Sequence, residues 1–490
     1  MRKTIATILS LLVVLAMTLA ITACGGNGDD NGGTTAPSPT PGTPPTTPGD
    51  PPGDTGEAPP AAVPRGNIHP VVDLGGREIR IVSWGTYNMG GSAPYEEPDP
   101  EDPNYFIHRM QYDNMRRVEE QFNVTIIHVD GGDYGMHREG FLASQVAGNP
   151  DGEIIRAPGS LLIPALAGGH ALVLSDITMD GITFDLLSNQ SVTNVSAAIG
   201  ADIYTVRGAS PLGMGPMLAV NMDLVNSLGL PNPVALYEAG TWTWEHLMNI
   251  MRLASAQGYF GIAGTQGDLT RLLIGSNDGI LVDANLNYAA NHPNTVAAFD
   301  QMATIFQERL WRWNPDDPGD PFGGWARQQH GFVEGADTVF FTEPSWVINL
   351  EAPFHFEMIP FPVGPANTSG NTHVVGLAYG VLIPVGTPNP GEILMIIEEL
   401  HSWAYGNEWM LIEAVAESLR GRLHTEACVQ RAIHTANNTR AIDIGWSIEG
   451  GLGWLIYALH WDLFHGYSDA AEMLETERAP RQELLDNLFR

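Results

Sequence analysis

Carboxylates and aromatic rings are the groups with which this chain could do chemistry. The sequence holds 56 Asp and Glu against 23 Lys and Arg, together with 12 Trp, 13 Tyr and 16 Phe. Two carboxylates could cleave a glycosidic bond, one as acid and one as base or nucleophile. Alternatively, a ring covers the apolar C–H face of a sugar while carboxylates, amides and guanidinium groups bond its hydroxyls. An abundance of acids does not separate these by counting. Local signatures favour binding: there is no Gly-x-Ser-x-Gly, His-Glu-x-x-His, Cys-x-x-Cys or phosphate-cradling Gly-x-x-x-x-Gly-Lys. The 15 histidines fall at no metal-ligand spacing, so no metal or cofactor is expected. Asp99, Glu101, Asp102 and Asn104 could chelate calcium, as could Asp316, Asp317 and Asp320. Both runs are broken by proline and lack EF-hand spacing, so they read as solvated acidic loops.

The elements that must position these groups are those of an α/β chain. Glu78 to Trp84 alternates and then turns apolar, a first strand. Tyr105 to Phe122 is expected as a helix, Val124 to Val129 as a second strand, Phe141 to Ala147 as a helix and Glu153 to Ala157 as a third strand. This order suits a largely parallel sheet. Gly213 to Val220 and Gly376 to Pro384 are apolar runs punctuated by glycine, suited to buried strands or hinges. Between them come a brief helix at Asp223–Val225 and a helix N-capped by Thr243, with Leu247, Ile250, Met251 and Ala254 on one face. A strand at Tyr259–Ile262 and a helix over Val296–Leu310 follow. Further on, Ile393 to Trp409 is helical, as is the tail from Gly451 to Phe489 with Ser468 as a cap.

Val220-Asn221-Met222-Asp223-Leu224, a Pro-containing loop and Thr243-Trp244-Glu245 resemble the bacterial extracellular solute-binding proteins, in particular their carbohydrate-binding group. Gly148-Asn149-Pro150-Asp151 before a strand, Phe332 to Phe341, Pro360-Phe361-Pro362-Val363-Gly364-Pro365 and a Ser468-led final helix follow in that family's order. The resemblance implies a two-lobed periplasmic-binding-protein-like fold with two or more interlobe crossovers. It divides the chain into a first lobe of residues 67–217 and 378–432 and a second of 218–377 and 433–490. It further implies a sugar or oligosaccharide held between the lobes by a monomer and delivered to an ABC transporter permease. The ligand-binding residues expected are Trp84, Arg156, Ser160, Glu343, Trp346, Tyr379, Trp446 and Trp454. Trp346 stands one residue later than the family's sugar-stacking Trp, and Trp446 and Trp454 lie near its C-terminal one. Trp84 serves either core or ligand, Tyr379 either ligand or hinge packing, and Arg156 either a hydroxyl or a structural ion pair. Trp242 and Trp244 are assigned to packing of the helix start. A cell-surface glycosidase and the binding module of a sensor system are the alternatives.

The leader and charge agree with an exported protein. Arg2 and Lys3 precede the apolar run Ile5–Ala20, of signal-peptide length, and Ile21-Thr22-Ala23-Cys24 reads as a lipobox with Cys24 as the lipidated residue. Residues 1–23 are then the signal peptide and 24–66 a Gly/Pro/Thr-rich tether with too little apolar content to form a core. Localisation on the outer face of the cytoplasmic membrane follows, with lipid as the only membrane contact. Formal net charge is −33, which argues against nucleic acid or an anionic membrane surface as partner. With Cys24 lipidated, Cys428 has no disulfide partner in the chain and is expected as a small buried residue.

Overall fold

The computed structural model describes residues 67–84, 97–100, 105–184, 198–199, 202–206, 217–283, 285–312, 331–342 apart from 335, 352–404 apart from 371, 373 and 376–379, 422–448 apart from 439, 440 and 443, and 462–489 apart from 464 and 468, with single positions at 328, 413, 416, 419 and 420. Two four-stranded sheets carry the architecture.

The first sheet is built from β1 (Arg77–Ser83), β2 (Val124–Asp130), β3 (Ile154–Ala157) and a late strand, Gly380–Leu382. Its order is late strand, β3, β1, β2. β1 pairs in parallel with both neighbours, and Ile79 faces Ile126 across the ladder. The late strand runs antiparallel to β3, Val381 beside Arg156. Helices α1 (Tyr105–Phe122), α2 (Tyr134–Val146) and α3 (Gly159–Ala167) connect or follow these strands. Parallel strands demand such crossovers, which is why strand and helix alternate here. α2 begins earlier than expected because Asp133 caps it, its carboxylate accepting from the Met136 N–H at 2.9 Å.

The second sheet contains β4 (Leu218–Asn221), β5 (Phe260–Ala263), β6 (Thr338–Phe341) and β7 (Phe356–Ile359), in the order β5, β6, β4, β7. β5 and β6 are parallel, and β4 is antiparallel to both its neighbours. Asn221 ends β4 and caps α4 (Met222–Ser227), its side-chain oxygen accepting from the Leu224 N–H at 3.0 Å. α5 (Pro233–Glu238), α6 (Trp244–Ser255), α7 (Gln266–Ser276) and α8 (Pro293–Gln307) complete the surroundings. Trp242 and Trp244 pack in the core as expected, and each indole N–H is satisfied, by Pro360 O and by Ser276 Oγ, both at 3.0 Å. Thr243 occupies the cap position without making the expected side-chain bond to the backbone; its hydroxyl pairs with His246 Nδ1 at 2.9 Å. The helix start is fixed instead by the Trp244 N–H donating to Val363 O.

After β7 the chain forms β8 (Val374–Val375), part of a separate two-stranded sheet, and then β9 (Gly380–Leu382), the late strand of the first sheet. α9 (Pro390–His401) packs on α1. α10 (Glu426–Asn438) packs on β7. Leu419, Leu423 and Cys428 share one apolar cluster with Ala219, Phe341 and Phe356. The Cys428 sulfur accepts from the Met358 N–H, and burial pushes its thiol up to about 12. β10 (Ala441–Ile442) then pairs in parallel with β8. α11 (Ala470–Phe489) lies on α8, and its Leu474 carbonyl accepts from the Tyr288 hydroxyl at 2.8 Å. Asp469 makes a cap bond at its start, accepting from the Glu472 N–H at 2.7 Å; Ser468, the expected cap, lies outside the described residues. Among the described residues no helix is long and apolar enough to cross a membrane.

Candidate functional site

The carboxyl ends of parallel strands leave backbone groups and side chains unpaired by the sheet, and ligands of open α/β sheets bind there. In the first sheet these ends carry an aromatic and cationic cluster. Trp84 follows β1, and the Gly131 N–H after β2 donates to Ser83 O at 2.7 Å, tying the two ends together. The Trp84 ring meets Tyr134 edge-on and His137 at a tilt, both with centroids 5.9 Å apart. The Arg156 guanidinium, from β3, lies 4.7 Å over the Trp84 ring. His137 Nε2 donates to the Arg156 carbonyl at 2.7 Å, which sets its tautomer, and burial pushes its pKa below the ordinary imidazole value. Only glycine fits at 131, because a Cβ would stand 2.5 Å from His137 Nδ1. Tyr134 and Met136 remain exposed in the first turn of α2, at 37% and 61%.

A second cluster belongs to the other sheet's layer. α7 leaves β5 by way of Gly264 and Thr265, and Thr265 and Asp268 bond one another as a cap. One turn later the Arg271 guanidinium lies 5.2 Å over the ring of Trp446, in the 3-10 turn Ile444–Ser447. Trp446 is 9% exposed, and among the described residues neither its indole N–H nor Arg271 Nε has a hydrogen-bond partner. α3, which starts just beyond β3, touches both this turn and α11. The helix behind Arg156 thus adjoins the turn that holds Trp446.

Of the expected site residues, the structure gathers Trp84 with Arg156 in one stack and puts Trp446 in another. Ser160 lies in the first turn of α3, its side chain outside the described set. Glu343, Trp346, Tyr379, Trp454 and Cys24 also lie outside the described residues. So do Glu101, Asp102, Asn104, Asp316, Asp317 and Asp320 of the acidic runs. Among the described residues no three His, Cys, Asp or Glu side chains gather to hold a metal. Tyr134, His137 and Arg271 escaped the sequence reading. A lone arginine between Leu269 and the run Leu272-Leu273-Ile274 was the available signal for the last of these.

Residues 123–411 match the model of the bacterial extracellular solute-binding protein family, and the chain belongs to that family. It is an extracellular solute-binding protein, a binder and not an enzyme. A family 1 extracellular solute-binding protein from Bifidobacterium longum subsp. infantis superposes with a TM-score of 0.56 at 13% identity, over 83% of this chain and 99% of that one. Lmo0181 from Listeria monocytogenes, an ABC substrate-binding protein in complex with cycloalternan, gives 0.53 at 11% identity over 84% and 99%. UgpB from M. tuberculosis, in complex with glycerophosphocholine, gives 0.53 at 16% over 84% and 99%. At such identities the likeness is one of fold, the two-lobed fold expected from the sequence. No curated protein sequence matches the chain.

Proposed function

We propose that this protein captures a sugar or oligosaccharide between its lobes and hands it to an ABC permease while tethered to the membrane through a lipid on Cys24. The observation that carries the reading is the pair of Arg–Trp stacks, one beside each sheet, with α3 joining their neighbourhoods. Rings and guanidinium groups are the pair of chemistries a sugar uses, the ring for its C–H face and the guanidinium for its hydroxyls. The cycloalternan complex of the Listeria neighbour supports a carbohydrate ligand. We assign the segments that carry the first sheet, 67–206 and 380–404, to the first lobe, and 217–375 and 416–489 to the second. The chain then crosses three times, between 206 and 217, between 375 and 380, and between 404 and 416. Short crossings absorb backbone rotation while each lobe moves as a body.

A thermal-shift screen against mono- and oligosaccharides tests the reading. A ligand at a hundred times its Kd adds ~2.7 kcal/mol to folding stability. With the best ligand, solution scattering shows contraction, and Trp346→Ala weakens binding at least about tenfold, the value of burying one ring face. A panel without a single stabilising carbohydrate rejects the sugar reading. For the anchor, Cys24→Ser in a lipidating host abolishes palmitate labelling; persistent label on the variant rejects it.

A further inference from the structure

We infer that the captured solute carries an oxyanion, a carboxylate or phosphate, and that Arg271 receives it. This rests on the reading of a ligand held between the lobes. Acids outnumber bases 56 to 23 in this chain, so carboxylate partners for its arginines are plentiful. Arg77, Arg109, Arg117, Arg252, Arg312 and Arg431 each hold one. Arg271 has none: among the described residues it makes no ion pair and no hydrogen bond, and its buried Nε has no acceptor. The nearest acid on its own helix, Asp268, is turned back to Thr265 in the cap.

A buried guanidinium N–H without an acceptor is costly, because it has surrendered water for nothing in return. The Trp446 ring, 5.2 Å away, partly offsets this through its π face but cannot satisfy the N–H geometry. The same stack covers one face of the Trp446 ring, so that face serves the arginine and not a sugar. The indole N–H of Trp446, itself nine-tenths buried and unbonded, adds a second waiting donor on the same structure. Two donors and no acceptor describe a receptor for an acceptor-only group. A carboxylate or phosphate answers that description best, since arginine binds either one through paired N–H donors. A neutral hydroxyl would also bring a donor of its own, which this pair has no acceptor to meet. The net charge of −33 repels anions in general, so a bare guanidinium here is a specific exception and not part of a basic patch.

Calorimetry on the full chain tests this with matched probes: glucose, galactose and mannose, their uronic acids, their 1-phosphates, and glycerol 3-phosphate. Wild type is expected to bind at least one anionic probe about tenfold or more tighter than its neutral parent. Arg271→Gln is expected to remove that preference, so that the anionic probe binds no tighter than its neutral parent. Arg271→Lys keeps part of the preference, since it retains the charge and loses the fork. Trp446→Phe keeps the stack and loses the N–H, giving an intermediate loss. Should Arg271→Gln fail to fold, the wild-type preference decides alone. Uronates and phosphates as separate arms identify the source of the oxyanion. Neutral sugars bound as tightly as their acids overturn this inference and leave the sugar reading standing. Glycerol 3-phosphate bound without any sugar upholds the inference and removes the sugar reading. Binding of no anionic probe overturns it outright.

Discussion

The two Arg–Trp stacks differ in how the chain builds them. Arg156 projects from the last residues of a strand, and its own carbonyl is gripped by His137, so the backbone beneath the stack is held from both sides. Arg271 projects from the middle of a helix whose neighbouring positions, Thr270 and Leu272, are buried, and the helix makes no such grip on its ring partner. The first stack lies in an aromatic group with Tyr134 and His137. The second pairs one guanidinium with one ring. Their supporting cores differ as well. The first sheet rests on aliphatic residues such as Ile79, Ile81, Ile126, Ile154 and Ile393. The second is aromatic: Phe332 meets Phe341 at 5.3 Å and Phe354 edge-on at 5.4 Å, and Trp311 meets Phe306 edge-on.

The largest effect expected is in the aromatic core. Phe341→Ala in β6 should cost about 3–5 kcal/mol, whereas Ile79→Val in β1 should cost about 0.5–1.5 kcal/mol. Denaturant melts of both variants measure this, and equal losses would erase the contrast between the cores. Next comes the hinge of α7. Gly264 has φ +132°, and a Cβ there would stand 1.9 Å from the buried Thr342 hydroxyl. Gly264→Ala should therefore cost roughly 1–3 kcal/mol and displace Arg271, so anion binding falls along with stability. Unchanged melting would mean that the β5–α7 connection is looser than its geometry says.

The layers of the two sheets also differ in their response to pH. Burial lowers His128, on β2, to about 4. The unfolded chain then takes up a proton below its ordinary value near 6.5 while the folded chain does not. Stability therefore falls as pH drops from about 6.5 towards 4, by an amount on the order of 1–3 kcal/mol. Burial raises Glu399, yet the His69 N–H, Gln121 and the Arg117 guanidinium hold it below its usual value. Its contribution is present above the unfolded carboxylate range and is lost as pH falls through the lower folded value. In the layer of the second sheet Cys428 acts at the other end: the unfolded thiol ionises above about 9 and the folded one only near 12, so stability falls between them. His128→Asn should flatten the acid limb and Cys428→Ala the alkaline limb. A melt series in which either variant keeps both limbs would dismiss that assignment.

Smaller effects sharpen the contrast at the surface. Trp84→Ala removes one ring face and its cation–π partner, so affinity for the best ligand should fall about tenfold, with the melting point nearly unchanged. A Trp84→Ala protein that binds as wild type would place Trp84 in support of Arg156 alone. The Arg252–Glu308 pair has two contacts, at 2.6 and 2.7 Å, but both side chains are exposed. Arg252→Ala should cost less than about 1 kcal/mol, less still in high salt.

What the sequence determined by itself was local and periodic. The helix Tyr105–Phe122, the strands beginning at Val124 and Ile154 and the glycine-broken strand before Pro384 all follow from spacings that physics reads over a few residues. So did the burial of Trp242, Trp244 and Cys428, since large apolar groups beside buried helices have few other places to go. The family's motifs, in order, supplied the two-lobed fold. Only the tertiary structure set α10 against β7, because α10 is amphipathic and either sheet could have covered its apolar face. It alone brought His137 beneath Arg156, 19 residues away, and Arg271 over Trp446, 175 positions on by the difference of their numbers. A guanidinium's partner is chosen by three-dimensional proximity, and no periodicity along the chain records it. That is why Arg156 could be suspected from the end of its strand, whereas Arg271, one residue among the apolar positions of a helix, became visible only through the acceptor it lacks.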